Sequence, residues 1–491
     1  MNILKRPMFF AALICSVAAA LSLYFKTVAI IFLLFAMVVL TIQIIKKKYH
    51  FVMVLLAVLA FAASLSFEFT DIKKIEQKDN QVVSGKFLVI EEIEKYDEYN
   101  TVTLKAIDGD NLPQNTKYFV FDYKKTKLKM GDIVSANIKI TAISDYDEYR
   151  AYDYGNGVYA TASANKITKS KETNLFYKTA GKIRSYVKNT ISTRFNKNTA
   201  GLMLALTTGD KSIISDSFSS NVKTTGISHV IVVSGMHLSI IMAAVFWILD
   251  RLFYNKYVRC ILSIAFVFAI LAICGFTMSI TRAAAMFIIA GLSSVFSRDN
   301  DSLSSLLTAI TAVLIFAPFS IVNISFLLSV LSTLAIIWAV PFYNRLIIEK
   351  FKISSKILKA TIVVFLCSVF AIVFTLPVTI KTFGFVSIVS PITNMLITYP
   401  ITIALIVNIL ALMVSAIPVV EYLSYPLFWI AELCAKFIVF VVNAIAKLPI
   451  TVAVLPKSAF WWSIGLIAVV IGYMYYYEYK KKRSDLNANN I

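Results

Sequence analysis

Charge is what this chain has least of. Asp, Glu, Lys and Arg make up 15% of its 491 residues, against 58% hydrophobic residues and a mean hydropathy of +0.74. Soluble domains carry about a quarter charged residues, so the water-soluble globular class is excluded. Histidine is rarer still: His50, His229 and His237 are the whole complement. Three histidines cannot furnish an H-x-H-x-D-H motif, so a two-metal phosphodiesterase site is not expected. The five cysteines (Cys15, Cys260, Cys274, Cys367, Cys434) sit in or beside apolar runs without ligand spacing. That excludes a disulfide framework and a Cys/His metal centre. There is no G-x-x-x-x-G-K-[ST] run and no evident internal repeat of the kind inverted-repeat carriers show. Neither a cofactor nor a metal is implied. Acids are also few, 28 against 48 Lys and Arg, giving a formal charge of +20. Much of that excess is topological, because Lys and Arg collect in cytoplasmic loops.

What remains is long apolar runs. A span needs about 20 apolar residues. Three candidates lie at 7–25, 28–45 and 51–67. The N-terminus resembles a signal peptide, but two more apolar runs follow at once, so the first is read as an uncleaved span. Lys5-Arg6 and Lys46-Lys47-Lys48 fall in the cytoplasm by the positive-inside rule. The third span then exits outward at Glu68, making 68–226 extracytoplasmic. Nine further spans are expected near 227–249, 258–276, 280–297, 303–317, 321–341, 360–380, 386–416, 424–446 and 459–478. They put Asp250–Arg259, Arg298–Asp301, Arg345–Lys359 and Lys480–Arg483 inside, with both termini cytoplasmic. The segment 386–416 holds Pro391 and Pro400 and reads as a broken helix or a re-entrant hairpin. The expected fold is a polytopic α-helical membrane protein of about twelve spans with one extracytoplasmic all-β insert.

Within the insert, VVSGKFLVIEEI, YNTVTLKAI, KYFVFDY, DIVSANIKI and GVYATASANKI alternate or carry β-branched and aromatic residues, which predicts five strands. Asp108-Gly109 and Met130-Gly131-Asp132 supply turn chemistry. A small Greek-key barrel of OB type fits; a sandwich fragment is the other option. Lys124, Lys125, Lys127 and Lys129 form a basic strip beside Tyr118, Phe119, Phe121 and Tyr123. Cations beside aromatic faces are what single-stranded nucleic acid binders present. The same pattern also describes a strand with a buried aromatic face and a solvated lysine turn. From 166 to 197 there are nine Lys or Arg against one acid, Glu172. Ile183, Tyr186, Val187, Ile191 and Phe195 share one helical face, which predicts an amphipathic helix over 182–197. Lys182, Arg184, Lys188 and Arg194 on it would contact anionic lipid or rim a pore and draw in polyanions.

Next, a polar stretch runs into an apolar one between Leu206 and Ile241, carrying His229, Ser234, Gly235 and His237. On one continuous helix the two histidines would lie about 12 Å apart, with faces about 80° apart. That is unsuited to a shared metal, and Ser234 with His237 lacks the elbow and third group of a hydrolase. Polar groups at bilayer depth face protein or water, so a passage lining is the preferred role. Asp210 follows Gly209 and either caps the next turn or joins that passage. Arg282, in GFTMSITRAAAMF, either snorkels or faces phosphate. Asn323, Pro377 and Asn394 complete the polar or helix-breaking positions.

These residues resemble the ComEC family, the membrane channel of bacterial natural transformation. The resemblance rests on Gly209-Asp210-Lys211-Ser212 followed by Thr225-Gly226-Ile227-Ser228-His229-Val230-Ile231-Val232-Val233-Ser234-Gly235-Met236-His237. Thr281-Arg282-Ala283-Ala284, Ala317-Pro318, Phe326-Leu327-Leu328-Ser329, Leu376-Pro377, Phe383-Gly384 and Ser390-Pro391-Ile392-Thr393-Asn394 follow in order. Upstream, Asp145-Tyr146-Asp147-Glu148-Tyr149 with Gly155 and Val158 is similar to the element closing the family's OB-like domain.

The resemblance implies an organisation of 1–67 (three-span bundle), 68–170 (extracytoplasmic OB-like domain), 171–226 (amphipathic and pore-rim helices), 227–478 (competence-type bundle) and 479–491 (cytoplasmic basic tail). It implies import of single-stranded DNA. Lys124, Lys125, Lys127, Tyr123, Lys182, Arg184, Lys188 and Arg194 would capture the strand, and Asp210, His229, Ser234, Gly235, His237 and Arg282 would line its path. Many members continue into a metallo-β-lactamase-like domain; this chain stops at Ile491 without that motif. It is therefore read as a non-enzyme working in lipid with a DNA receptor, a separate nuclease and an ATP-driven motor. The alternative is a transporter or flippase for an anionic envelope precursor.

Overall fold

The computed structural model describes residues 6–46, 51–91, 94–95, 98–109, 112–143, 150–231, 233, 235–275, 278–295 and 301–488. The basic residues Lys47, Lys48 and Arg298, the segment Asp145–Tyr149 and Ser234 lie outside the described residues. The chain forms two compact units, 1–189 with 238–326 and 190–237 with 327–491.

In the first unit, α1 (Pro7–Tyr24), α2 (Lys26–Ile45) and α3 (Phe51–Glu76) pack together. Their contacts follow from small residues. Ala11, Ala12, Cys15, Ala18, Ala19 and Ser22 are the buried face of α1, and such a stripe lets helix backbones approach closely in lipid. Arg6 pairs with Asp301 and donates to the Ser304 hydroxyl at 2.6 Å, tying α1 to a later helix.

The insert contains β1 (Val82–Val89), β2 (Glu94–Lys95), β3 (Asn100–Gly109), β4 (Lys117–Asp122), β5 (Asp132–Ala142) and β6 (Val158–Thr173), with α4 (Arg150–Gly155) before β6. Pairing runs β1–β5–β6–β4–β3 and back to β1, so five strands close into a barrel, and the two-residue β2 adds to β3. Only β4 and β6 run parallel. Phe87, Leu104, Tyr118, Val120, Ile138 and Ile140 fill the interior. The predicted turn at Asp108-Gly109 is instead the end of β3, where Gly109 lies opposite Gly85 at a bulge in β1. A Cβ on Gly85 would sit 2.9 Å from the Asp108 carbonyl oxygen, so closure at this corner needs glycine.

The barrel is anchored to the helices below it. Tyr159 donates to the Glu68 carboxylate on α3. Phe319 packs against Phe69, Tyr154 and Tyr159 at ring distances of 5.5–6.2 Å. Asn323 donates to Asn156 Oδ1 at 2.7 Å and to the Gly155 carbonyl at 3.3 Å. Next, α5 (Leu175–Arg194) rests on the barrel through Met130, which packs with Ala180 and with Ala272.

The second unit begins inside α5. Short helices α6 (Lys197–Thr208), α7 (Asp216–Thr224) and α8 (Ser228–Ile231) lead to α9 (Gly235–Leu252). There follow, in the first unit, α10 (Lys256–Cys274), α11 (Met278–Val295) and α12 (Ser302–Phe316). The second unit resumes in α13 (Ile324–Phe351), then α14 (Lys356–Phe383), β7 (Phe385–Ser387), α15 (Ser390–Ser415), α16 (Ser424–Ala446), β8 (Val452–Val454) and α17 (Ala459–Ala488). Among the described residues ten helices are long and apolar enough to cross a membrane. Two expected spans are shorter apolar helices, Ile280–Ile289 within α11 and Ser302–Phe316.

Three expectations change. The span drawn at 227–249 is not continuous: Gly226 has φ +73°, α8 is four residues long, and the long helix starts at Gly235. The 386–416 segment opens in β7 and then forms a single helix, Ser390–Ser415. Pro391 sits in its first turn, where no N–H bond is lost, and Pro400 is accommodated inside. The strands β7 and β8 pair from Phe385↔Val454 to Ser387↔Val452. The loops before α15 and after α16 therefore lie together, as two successive crossings require and a hairpin would not.

The third concerns the packing of 171–226, read from sequence as amphipathic and pore-rim helices. Arg194 pairs with Glu421 just before α16, Phe195 packs on Phe428, and Thr199 bonds Glu432. Further along, Asn221 meets Asn443, and Gly226 lies against Ser387 and Ser390. The chain from Arg194 to Asn221 thus runs alongside α16. Nearly every residue of α6 from Thr199 to Thr208 is buried, as a helix apolar on all sides must be.

Candidate functional site

Two groups of residues carry chemistry, one on the barrel and one in the second unit. On β4 the pleat sends successive side chains to opposite faces. Tyr118, Val120 and Asp122 point in, while Phe119 and Phe121 are half-buried on the outer face. Phe119 lies between Thr103 of β3 and Thr161 of β6, and Phe121 between Thr101 and Ser163. These partners are small, so the rings stand above them. Phe119 and Phe121 meet edge to face at 5.4 Å, Tyr99 meets Phe121 at 5.4 Å, and Tyr99 meets Tyr123 at 5.8 Å. Tyr123 is 59% exposed. The aromatic residues therefore do not form one buried face: Tyr118 belongs to the core, and the other three join Tyr99 in an outer row.

Lys124, Lys125, Lys127 and Lys129 are exposed beside this row. Their loop is held in shape by Asp122, whose carboxylate accepts the N–H groups of Lys124 at 3.1 Å and Thr126 at 2.6 Å. Lys105 lies opposite Lys117 on the neighbouring strand. Burial, and then the charge of Lys117, holds the Lys105 ammonium below its ordinary pKa. Sequence reasoning missed Tyr99, which precedes β3; its signal was an aromatic residue two positions ahead of an alternating run.

The basic helix α5 is less uniform than its composition. Lys182 is exposed, while Arg184, Lys188 and Arg194 are half-buried. Arg184 lies near Cys274 and Gly275 at the C-terminus of α10, where a cation is favoured by the helix dipole. Arg194 is committed to Glu421 and lies 4.4 Å over the Tyr425 ring. Of the four cations read as capture residues, Arg194 is thus a structural one.

The described residues read as a passage lining are carried by the turn after α6, by α8, by the first turn of α9 and by α11. Asp210 accepts the Ser212 N–H at 2.8 Å, the turn-capping option. His229 is exposed on α8, and Gly235 starts α9. His237 is fully buried in the first turn of α9. Arg282 is 4% exposed on α11 and donates to the Met286 sulfur at 3.2 Å. The histidines stand on separate helices, so the spacing derived from one helix does not apply. Buried as they are, His237 and Arg282 are surrounded by protein.

Other polar groups, missed from sequence, meet inside the second unit. Glu432 of α16 is 9% exposed and accepts from Asn196 Nδ2 and Thr199 Oγ1, each at 2.7 Å, with Lys436 at 3.5 Å. Asn408 of α15 is fully buried and donates to Thr207 Oγ1 at 2.9 Å. Asn394 donates to Ser368 at 2.8 Å and Ser390 at 3.3 Å, and Ser390 donates to the Gly226 carbonyl at 3.2 Å. A Cβ on Gly226 would fall 2.6 Å from both Ser387 and Ser390, so this contact admits only glycine. Polar bonds to α15 and α16 therefore hold α6 at both ends. Beside it opens a cleft of about 770 Å³ lined by Ser192, Lys197, Asn198, Ser212, Asp216 and Asn443, among others.

The Competence protein family model matches residues 206–480, more than half of the chain. Among curated proteins, ComE operon protein 3 of Bacillus subtilis (strain 168) is 23% identical over 249 residues, which is 51% of this chain and 31% of that protein. The match thus spans about a third of that relative's length. No solved structure matches.

Proposed function

Because the chain belongs to the Competence protein family, we propose that it imports single-stranded DNA through the cell membrane. The observation that carries this reading is the outer row of Tyr99, Phe119, Phe121 and Tyr123 beside four lysines. Counted without β2, the barrel strands pair in the circuit 1-2-3-5-4-1, with strands 3 and 5 parallel. That supports an OB-like fold, whose ligand face is formed by strands 2 and 3 and the loops beside them. Strands 2 and 3 here are β3 and β4, and the aromatic row stands on β4. A duplex hides its base faces, whereas an unpaired strand can stack them on such rings while its phosphates meet the lysines. Family membership does not favour the alternative of a flippase for an envelope precursor.

In this reading the barrel is extracytoplasmic and both termini are cytoplasmic. The 227–478 bundle, with the 194–226 segment, conducts the strand. A receptor would deliver DNA, a separate nuclease would remove the second strand, and an ATP-driven motor would pull.

Uptake of labelled DNA by a strain lacking this protein, with and without the gene restored, tests the reading. Loss of uptake with restoration on complementation is the expected result; unchanged uptake in the deletion overturns it. The purified full chain should bind an unstructured oligonucleotide with an affinity that falls as salt rises.

A further inference from the structure

We infer that the cleft between α6, α7 and α16 is a phosphodiester-binding site, where the second unit holds the backbone of the strand it conducts. The inference rests on the DNA-import reading and adds to it a place and a ligand chemistry. The cleft, of about 770 Å³, is within the size range of sites for nucleotide-sized ligands. Eight of its thirteen lining residues carry polar side chains, among them Ser192, Lys197, Asn198, Ser212, Asp216 and Asn443. In a unit built of apolar helices, so many hydroxyl and amide groups on one wall face water or a polar solute.

The sign of that solute follows from charge. Lys197 lines the cleft, Lys211 adjoins the lining residue Ser212, and Lys223 is on the last turn of α7. None of the three has an acidic partner among the described residues. Against these three stand two carboxylates: Asp216, in the first turn of α7 where it complements the helix dipole, and Asp210, which caps the turn carrying Ser212. An anion balances this set better than a neutral or cationic solute.

The ring chemistry of the barrel is missing here. The one aromatic lining residue, Phe218, is 7% exposed and so offers no stacking surface. The cleft therefore recognises backbone and not bases. Its wall is also fixed: Glu432 holds Asn196 and Thr199 from the far side, which sets where Lys197 and Asn198 project.

The test uses the full chain in nanodiscs and in cells, with Asn198→benzoylphenylalanine in the cleft and Phe121→benzoylphenylalanine on the barrel as photo-crosslinking probes. The DNA probes are an unstructured thymidine oligonucleotide and an abasic oligonucleotide of the same length. At position 198 both should crosslink, and inorganic polyphosphate should compete with both. At position 121 only the base-bearing strand should crosslink efficiently. Lys197→Gln with Lys211→Gln should cut crosslinking at 198 and DNA uptake roughly tenfold, the scale of one lost charge-assisted contact. Lys197→Arg with Lys211→Arg should keep both within about twofold, since the charges remain. Uptake with crosslinking at 121 but none at 198, or full uptake by the double Gln variant, overturns the cleft and leaves DNA import standing. Absence of crosslinks at both positions with normal uptake in the deletion strain defeats the import reading itself.

Discussion

In the barrel, apolar side chains turn inward and polar ones outward; the second unit reverses the arrangement. Its long helices expose Trp429, Leu433 and Phe440 of α16 while Glu432, Asn408 and Ser424 turn inward. Each pattern is correct for its surroundings, and each marks its own exceptions. An exposed Trp429 is ordinary on a helix in lipid, so it identifies nothing. The row of half-exposed Phe119 and Phe121 with exposed Tyr123 on the outer face of the barrel leaves apolar surface uncovered, and the DNA-import reading gives that surface a use. Conversely, an exposed lysine on the barrel is unremarkable, while a carboxylate inside α16 has to be explained.

The sharpest test of that contrast is Glu432. Replacing it with Ala leaves Asn196, Thr199 and Lys436 without their shared acceptor. Hydrogen bonds to a charged group contribute about 1.5–3 kcal/mol each, so the second unit should lose on the order of 3 kcal/mol. The thermal midpoint of a fluorescent fusion in detergent would report it. Glu432→Gln keeps an acceptor oxygen and should lose about 1 kcal/mol or less by the same reasoning. Equal stability of the Ala variant and the parent would mean that the polar seam along α6 is incidental.

The barrel counterpart is Phe119→Ala with Phe121→Ala. If the row stacks bases, the pair should weaken oligonucleotide binding by about 2 kcal/mol, or roughly thirtyfold. Fluorescence anisotropy at fixed salt measures it. Both rings are half-exposed, so the barrel's own stability should change far less than with a core change such as Phe87→Ala. Unaltered affinity would make the row a packing feature after all. A smaller effect is expected at the anchor. Asn323→Ala removes the bonds to Asn156 and Gly155, about 1–2 kcal/mol locally. Faster hydrogen exchange around Gly155 is the signature, without a change in the long helices.

Sequence legibility also divides along this line. Alternation made the five barrel strands readable because one face is wet, and the same alternation hid which aromatic residues were outside until the pairing fixed the register. Tyr118 differs from Phe119 by one position, yet the first ring is in the core and the second on the outer face. In the bundle, long apolar runs announced α13 to α17. A window of about 20 residues cannot register α6, which is twelve residues long, so its packing on α15 and α16 was not foreseen. The apolar stretch Val230–Val233 concealed the break before α9, which depends on the left-handed Gly226 and its contact with Ser387 and Ser390. Glu432 was legible in principle as a lone acid in WIAELCAK. Its partners, more than 230 residues earlier in the chain, were not.

The smallest predicted effect separates two kinds of buried titratable group within the barrel. Burial raises the phenol pKa of Tyr118, and burial with the nearby Glu68 raises that of Tyr159. Burial with Lys117 lowers the ammonium pKa of Lys105. The signs oppose. For a phenol raised above its unfolded value of about 10, the stabilisation is complete below that value and is lost as pH climbs toward the folded one. For an ammonium lowered beneath its unfolded value of about 10.4, folding is penalised at neutral pH, and the penalty fades as pH rises through the folded pKa. Barrel stability should therefore edge upward on approaching pH 10 and fall above it. Pulse proteolysis of the full chain in detergent across that range follows the barrel, which among residues 68–194 contains no tryptophan to report unfolding. Lys105→Gln should remove the rise and leave the fall, and Tyr159→Phe should soften the fall and leave the rise. If one substitution altered both limbs, the outer strand face and the barrel interior would be titrating as a single site, and the separation between wet and buried faces on which the base-stacking row depends would be lost.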